Sequence, residues 1–227
     1  MHGWIHELRE ALLDALALVL PVACAGCGVE GRELCAVCHD RLAPEPLRTT
    51  ASGDLPVFAG APYRDEVQRV VLAYKEGRTA LARPLAALLT AALALAAPAS
   101  DVELCAVPST RAAGRRRGFD PVRLALARAG RHHARVLRPA RPHRAQKALG
   151  REERSRNLRG AHRARVRLDG RRFLLVDDVV TTGATLAEAA RAIREAGGDV
   201  VGAVVIAATP LRSARGAAHT RPSAKAG

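Results

Sequence analysis

The amino-acid sequence predicts an α/β fold with a mostly parallel sheet flanked by helices, preceded by a small metal-binding module. Strand-like apolar runs alternate with helical patterns after residue 56, and four cysteines lie close together near the N-terminus. Apolar residues make up 48% of the 227 residues, enough for a sizeable core, which excludes a wholly disordered chain. We expect an N-terminal helix and the cysteine module in residues 1–50, the α/β domain in residues 56–210 and a disordered basic tail in residues 211–227.

The first residues are predicted to form an amphipathic helix. Apolar side chains recur at helical spacing between residues 8 and 19, and acidic residues outnumber Arg9 in the same stretch. A secretory signal starts with a basic region, and the apolar run before the first cysteine is too short to span a bilayer. We therefore expect a cytoplasmic protein without membrane contact.

The cysteine pattern predicts a structural zinc site. Four of the five cysteines form two Cys-x2-Cys pairs, Cys24 with Cys27 and Cys35 with Cys38. Such pairs supply the four thiolates of a tetrahedral Zn²⁺ site, and Gly26 and Gly28 allow the first turn to fold. Two disulfides are the alternative, and they need an oxidising compartment. Cys105 lies in an apolar run and is expected to be a buried small hydrophobe.

The α/β domain is expected to begin after a connector at residues 49–53. Its elements then follow from apolar periodicity and from turn residues. In chain order they are strand 57–63, helices 65–75 and 79–97, strand 103–107, a basic loop at 108–118, helix 120–129, strand 135–137, a long polar loop to residue 160, an alternating segment at 163–168, strand 172–176, helix 186–196 and strand 200–207. Thr79 is a candidate helix cap, and Asp120 caps the helix that Pro121 starts.

One stretch, residues 173–186, predicts a ligand site. A buried strand runs into Asp177 and Asp178, then into a Thr/Gly loop and a helix. Backbone N–H groups, threonine hydroxyls and the helix start form an anion cradle, and Gly183 lets a phosphate approach the backbone. Because carboxylates repel phosphate, the two acids fit better as acceptors for sugar hydroxyls and as Mg²⁺ ligands. A ribose 5-phosphate group satisfies both halves of the motif.

The charge distribution predicts an anionic partner. The net charge is +14, and residues 111–172 hold 21 basic and four acidic residues, a local net charge of +17. Arginine outnumbers lysine 33 to 3, either through codon usage in a GC-rich genome or through selection for bidentate phosphate binding. Aromatic residues are only 3%, which argues against binding nucleic acid by base stacking. The histidines at positions 132, 133 and 162 are expected at the surface.

Residues 173–186 resemble the phosphoribosyl-pyrophosphate (PRPP) motif of the type I phosphoribosyltransferases. The resemblance implies that the acidic pair holds the ribose hydroxyls and that the following loop holds the 5-phosphate. The implied PRPP-binding residues are Ser109, Thr110, Val179, Val180, Thr181, Thr182, Gly183, Ala184 and Thr185. Asp177, Asp178, Arg111 and Lys147 are the implied catalytic residues. Arg111 and its neighbours would bind pyrophosphate, with Mg²⁺ accompanying PRPP.

The rest of the chain resembles ComF/GntX-type members of that family. The cysteine module is followed by the segments Tyr74-Lys75-Glu76-Gly77, Val107-Pro108-Ser109-Thr110-Arg111 and Arg117-Gly118-Phe119-Asp120. Gln146, Leu149, Arg154 and Asn157 also fit the pattern, and Gln146, Arg154 and Asn157 are candidates for a closing loop. The family's usual Asn-Gln after Gly-Phe is Asp120-Pro121 here, and His143 stands where Thr is common.

The resemblance implies two functions of different class. The first is transfer of a phosphoribosyl group from PRPP to a nitrogen acceptor with release of pyrophosphate. The second is a non-catalytic competence or DNA-uptake protein that binds single-stranded DNA or a helicase-like partner, since a fold does not fix its function.

Overall fold

A five-stranded, mostly parallel sheet forms the centre of the protein. The structure is a computed structural model and describes residues 22–52, 54–109, 111–140 and 160–209, without the side chains of Arg111 and Ala112. The strands are β1 (Leu47–Ala51), β2 (Leu55–Pro62), β3 (Val102–Ala106), β4 (Leu137–Pro139), β5 (His162–Ala164), β6 (Arg172–Val180) and β7 (Asp199–Ala208). The order across the sheet is β1-β2-β7-β6-β3, and β4 pairs with β5 separately. Strands β2, β7, β6 and β3 run parallel, whereas β1 is an antiparallel edge.

Helices cover both faces of this sheet, as the alternation of strands and helices predicts. They are α1 (Ala36–Asp40), α2 (Asp65–Lys75), α3 (Ala82–Ala96), which follows a 3₁₀ turn (Thr79–Leu81), α4 (Arg111–Arg117), α5 (Pro121–Arg128) and α6 (Ala184–Arg194). Helices α2, α3 and α5 pack on one face, where Leu174 and Val176 of β6 point. Helix α6 packs on the other face against Phe173 and Leu175. The continuous apolar run at residues 173–176 of β6 follows from this burial on both sides.

Helix α3 and the turn before it are long and apolar enough to cross a membrane by length and composition. Its side chains explain that composition, because Leu85, Leu88 and Leu89 are fully buried in the core that covers the sheet. The helix is therefore a core helix of this domain.

Several element predictions are wrong. The connector predicted at residues 49–53 is largely strand β1, because the backbone pairs with β2 in the register Thr49 to Val57. The basic loop predicted at 108–118 contains α4, whose arginine-rich sequence lacks an apolar period. Thr79 is not a helix cap, because Arg78 precedes the 3₁₀ turn and Leu81 precedes α3 at the capping positions. Asp120, in contrast, caps α5 as predicted, because its carboxylate accepts the Arg123 N–H at 3.2 Å.

Candidate functional site

The acidic pair lies within strand β6 instead of after it. The strand extends to Val180, so Asp177 and Asp178 occupy its carboxyl-terminal part. Each carboxylate accepts the N–H of the next residue: Asp178 N–H bonds Asp177 at 2.8 Å, and Val179 N–H bonds Asp178 at 2.7 Å. Open parallel sheets bind ligands at this edge, so the two acids lie where the sequence predicts a site.

The loop after β6 leads directly into the N-terminus of α6. Thr181 and Thr182 are exposed, and α6 begins at Ala184, so the first N–H groups of an 11-residue helix face this loop. Gly183 has a φ of +77°, and a Cβ there would lie 2.3 Å from the Ala51 Cβ. Only glycine fits, both because of its left-handed backbone and because β1 approaches so closely.

Lys75 is a functional candidate that the sequence did not predict. Its ammonium lies 2.8 Å from the Asp178 carboxylate, and the two side chains are only 25% and 16% exposed. The pair joins the end of α2 to the end of β6, more than one hundred residues apart in sequence. One signal pointed to it, because Lys75 is one of three lysines among 36 basic residues and lies in the Tyr-Lys-Glu-Gly segment.

The two carboxylates have different environments. Burial raises the pKa of Asp177 well above the usual carboxyl range, and repulsion from Asp178 raises it further, while the hydrogen bond from the Asp178 backbone N–H and the charge of Lys75 partly offset the effect. Asp178 has the direct contact with the Lys75 ammonium. The site therefore combines one carboxyl that holds its proton tightly with one carboxylate in an ion pair.

A second loop flanks the acidic pair. Strand β3 pairs with β6, and the Val107 N–H donates to the Val176 carbonyl at 2.9 Å, one residue before Asp177. We call residues 107–109 the β3 loop. Ser109 of this loop is one of the implied pyrophosphate ligands, and Arg111 begins α4 just beyond it. Six of the site predictions concern parts outside the described residues: Thr110, the Arg111 side chain, Gln146, Lys147, Arg154 and Asn157.

Two segments that carry the family resemblance meet beside the site. The Tyr74 hydroxyl donates to the Pro121 carbonyl at 2.8 Å, and its ring lies 5.5 Å from that of Phe119. Tyr74 is fully buried. This contact fixes the end of α2, and hence Lys75, against the start of α5.

The four N-terminal cysteines converge into one cluster. Their Sγ atoms all lie within 4.8 Å of one another, and those of Cys27 and Cys35 are 3.7 Å apart. A tetrahedral site with Zn–S bonds of about 2.3 Å has S···S edges of about 3.8 Å, so the cluster can hold a zinc ion. Backbone N–H groups of Gly26 and Cys35 point at the Cys24 Sγ at 3.4 and 3.3 Å, as suits a thiolate.

The close packing of the cluster explains one of its glycines. A Cβ on Gly26 would lie 2.6 Å from the Cys38 Sγ, so a side chain there would displace a ligand. Burial would raise the pKa of Cys24, but backbone N–H groups lower it to about 6. The cysteines of the described residues are free of disulfides.

Arginines of the α/β domain hold the cysteine module in place. Arg78 donates to the Glu33 carboxylate at 2.7 Å and to the Ala23 carbonyl at 2.6 Å. Arg69 donates to the Gly26 carbonyl, between the first two cysteines. Arg69 and Arg78 lie in and just after α2, the helix that ends with Lys75. The module therefore packs against the same helix that supplies a cation to the acidic pair.

The basic excess divides into two groups. Arg171 makes a bidentate pair with Glu103 at 2.7 and 2.8 Å, and Arg172 pairs with Asp101 at 2.7 Å. These pairs join β3 and β6 at the end of the sheet opposite the acidic pair. Arg123 and Arg167 also have acidic partners, Asp120 and Asp169. Within the described residues no acidic partner is found for a second group, which comprises Arg115, Arg116, Arg117, Arg128, Arg131, Arg135, Arg138, Arg163 and Arg165.

The histidine predictions are confirmed only in part. His132 is exposed and His133 is partly buried. His162, expected at the surface, is only 5% exposed and lies between the β3 loop and α6. A lone histidine in a basic segment gives no periodic signal of burial, so the sequence could not reveal this position.

The fold and the site define a class of α/β proteins that bind an anionic ligand at the carboxyl edge of a parallel sheet. A family model, the phosphoribosyl transferase domain, matches residues 70–223. The match covers more than half of the chain, so the protein belongs to the phosphoribosyltransferase family. The cysteine module lies outside the matched residues. No curated protein matches the chain.

Proposed function

We propose that the protein is a ComF/GntX-type phosphoribosyltransferase that transfers the phosphoribosyl group of PRPP to a nitrogen acceptor and releases pyrophosphate. The observation that carries this proposal is the placement of Asp177 and Asp178 beside a phosphate-type loop at the start of α6, within a phosphoribosyl transferase domain. The ComF/GntX subtype is supported by the cysteine cluster and by the contact between the rings of Tyr74 and Phe119, which belong to two of the segments that resemble it.

The site has a place for each part of the substrate. The N-terminal N–H groups of α6 and the hydroxyls of residues 181, 182 and 185 would bind the 5-phosphate. The carboxyl groups of Asp177 and Asp178 would accept hydrogen bonds from the ribose hydroxyls. The diphosphate would extend towards Ser109, Thr110 and the cationic residues beyond. Mg²⁺, when bound with PRPP, would be held by these carboxylates directly or through water and by the substrate phosphates.

The acidic pair also suits the chemistry of the transfer. As the bond to pyrophosphate breaks, positive charge develops on the sugar and negative charge on the leaving group. Carboxyl groups beside the ribose stabilise the positive charge on the sugar, and cations stabilise the negative charge on the leaving pyrophosphate. Arg111 and Lys147 are our candidates for the cations, and Gln146, Arg154 and Asn157 for a loop that closes over the substrate and excludes water.

We propose that the cysteine cluster binds one structural Zn²⁺ through Cys24, Cys27, Cys35 and Cys38. The four sulfur atoms leave no open coordination position for a reaction, which favours a structural role. Its contacts with α2 suggest that the metal stabilises the helix that carries Lys75. Zinc binding needs these cysteines in reduced form, which fits a reducing compartment, and we propose a cytoplasmic location.

A second candidate function is binding of single-stranded DNA, alone or with a helicase-like partner. Arg138 of β4 lies directly opposite Arg163 of β5, and within the described residues neither has an acidic partner. Like charges opposite each other in a sheet are unfavourable unless an anion neutralises them. If this surface binds DNA, the affinity should fall steeply as salt concentration rises, and a flat response would exclude phosphate-dominated binding.

The first proposal is tested by a screen for pyrophosphate release from PRPP and Mg²⁺ across nucleobases and amines. We expect release with at least one nitrogen acceptor, and its loss by at least tenfold in Asp178→Asn. Asp199→Asn is the matched control, because this carboxylate also accepts the N–H of the next residue but lies at the other end of the sheet. If neither the wild type nor Asp199→Asn releases pyrophosphate with any of the acceptors, the proposed activity is contradicted.

A further inference from the structure

We propose that His162 is a positioning residue for the diphosphate end of PRPP, because it fixes the β3 loop relative to α6. The inference rests on the proposed function. The His162 Nε2 lies 3.2 Å from the Pro108 carbonyl oxygen, and His162 is only 5% exposed. A carbonyl oxygen only accepts hydrogen bonds, so Nε2 carries the proton and donates it.

This hydrogen bond is one of two anchors of the β3 loop. On the β6 side, the Val107 N–H donates to the Val176 carbonyl at 2.9 Å. On the α6 side, His162 binds the carbonyl of Pro108, which has no N–H of its own to offer. The two bonds hold consecutive residues from opposite sides. Ser109, the first implied pyrophosphate ligand in this part of the chain, follows immediately.

Helix α6 in turn fixes His162 itself. The Glu188 carboxylate accepts a hydrogen bond from the backbone N–H of His162 at 3.2 Å, and the Arg191 guanidinium donates to the backbone carbonyl of His162 at 3.4 Å. Glu188 and Arg191 are joined by a bidentate pair with both distances 2.7 Å, and the Glu188 side chain is 4% exposed. The helix that begins at the predicted 5-phosphate loop therefore holds His162, and His162 holds the β3 loop.

The ring is suited to act as a fixed donor. Burial lowers the pKa of His162, so the ring is neutral at physiological pH. Its Nδ1 is buried and has no hydrogen-bond partner among the described residues. With the proton on Nε2, this Nδ1 bears only a lone pair, which costs less to bury than an unpaired N–H. The surroundings therefore favour one tautomer and one donor direction.

The position of His162 predicts a selective effect on ligand binding. PRPP and pyrophosphate need the β3 loop, whereas ribose 5-phosphate needs the acidic pair and the loop at residues 181–185. Without the hydrogen bond, the β3 loop must be ordered when the diphosphate binds, and this cost lowers affinity. We expect His162→Leu to weaken PRPP and pyrophosphate about tenfold and ribose 5-phosphate less than twofold.

The test is calorimetric titration of each ligand, in the presence of Mg²⁺ and zinc, into the full chain. His162→Gln retains an amide donor near the Nε2 position and should bind within about threefold of wild type. His132→Leu places the same substitution at an exposed histidine and should change nothing. Equal weakening of all three ligands in His162→Leu, or no weakening of any, would overturn the inference while leaving the proposed function in place. Failure of wild type to bind PRPP would instead overturn the proposed function, and the inference with it.

A measurement on the unmodified chain covers the case in which His162→Leu does not fold. In protein labelled with ¹⁵N at histidine, we expect His162 as the neutral tautomer with the proton on Nε2. Pyrophosphate should shift its Nε2 resonance, and ribose 5-phosphate should not. A proton on Nδ1, or a resonance that pyrophosphate leaves unchanged, would overturn the inference.

Discussion

The ion pair between Lys75 and Asp178 should stabilise the ligand-free protein measurably. The two groups are 2.8 Å apart and mostly buried, at 25% and 16% exposure. Exposed pairs contribute up to about 1 kcal/mol, and breaking a fully buried pair costs about 3–5 kcal/mol. A pair between these limits should show a coupling free energy of about 1–3 kcal/mol in a double-mutant cycle.

The single substitutions should not be equivalent. Lys75→Met removes the cation and leaves the Asp178 carboxylate, at only 16% exposure, without a counter-charge. Asp178→Asn also breaks the pair, but the unpaired charge it leaves is the Lys75 ammonium, which is more exposed and whose flexible side chain can reach water. We therefore expect Lys75→Met to lower the free energy of unfolding more than Asp178→Asn does.

The assay is urea unfolding of wild type, the two single variants and the double variant, with zinc present and without Mg²⁺ or PRPP. The exposed pair between Arg172 and Asp101 is the matched control, at 2.7 Å and at 44% and 57% exposure, and its coupling should be below about 1 kcal/mol. A coupling below about 0.5 kcal/mol for Lys75 and Asp178, or a larger cost for Asp178→Asn, would refute the reasoning.

Three further predictions follow from the site and the cysteine cluster. The folded state holds the Asp177 proton more tightly than the unfolded chain does, so the free energy of unfolding should fall as pH rises from 3.8 towards about 8. In urea unfolding, Asp177→Asn should therefore stabilise the protein more at pH 8 than at pH 5. An equal gain at both pH values would contradict the raised pKa of Asp177. Gly183→Ala should lower the free energy of unfolding by more than about 1 kcal/mol. Gly170→Ala is the control and should cost less, because Gly170 has a similar positive φ but no atom lies within 4 Å of the added Cβ. Equal costs of the two substitutions in thermal unfolding would argue against the close approach of β1 to Gly183. Elemental analysis should find one zinc per chain, lost in Cys38→Ser and kept in Cys105→Ala, and a zinc-free wild type purified under reducing conditions would contradict the assignment.

The sequence predicted those parts of the fold that have a strong local pattern. The apolar run at residues 173–176 predicted the first part of β6, which continues through the acidic pair to Val180. Helix α2 shows apolar side chains at helical spacing with Gly77 after it, and the predicted bounds of this helix match the structure. Asp120 and Pro121 likewise predicted the start of α5. In each case the residues that determine the element are neighbours in sequence.

The missed features depend on contacts between distant segments. Strand β1 has a polar sequence, and only its pairing with β2 makes it a strand. The pair between Lys75 and Asp178 and the bond from His162 to Pro108 join residues far apart in the chain. The sequence identified the acidic pair and its loop, but the groups that hold them in place follow from the packing of α2 and α6 against the sheet.

The most direct test of the proposed function is a calorimetric titration of PRPP into the zinc-loaded protein with Mg²⁺. We expect saturable binding of one PRPP per chain, weakened at least tenfold by Asp178→Asn and unchanged by Asp199→Asn. The absence of binding heat at millimolar PRPP, supported by an absence of thermal stabilisation, would contradict the assignment of this edge of the sheet as a PRPP site.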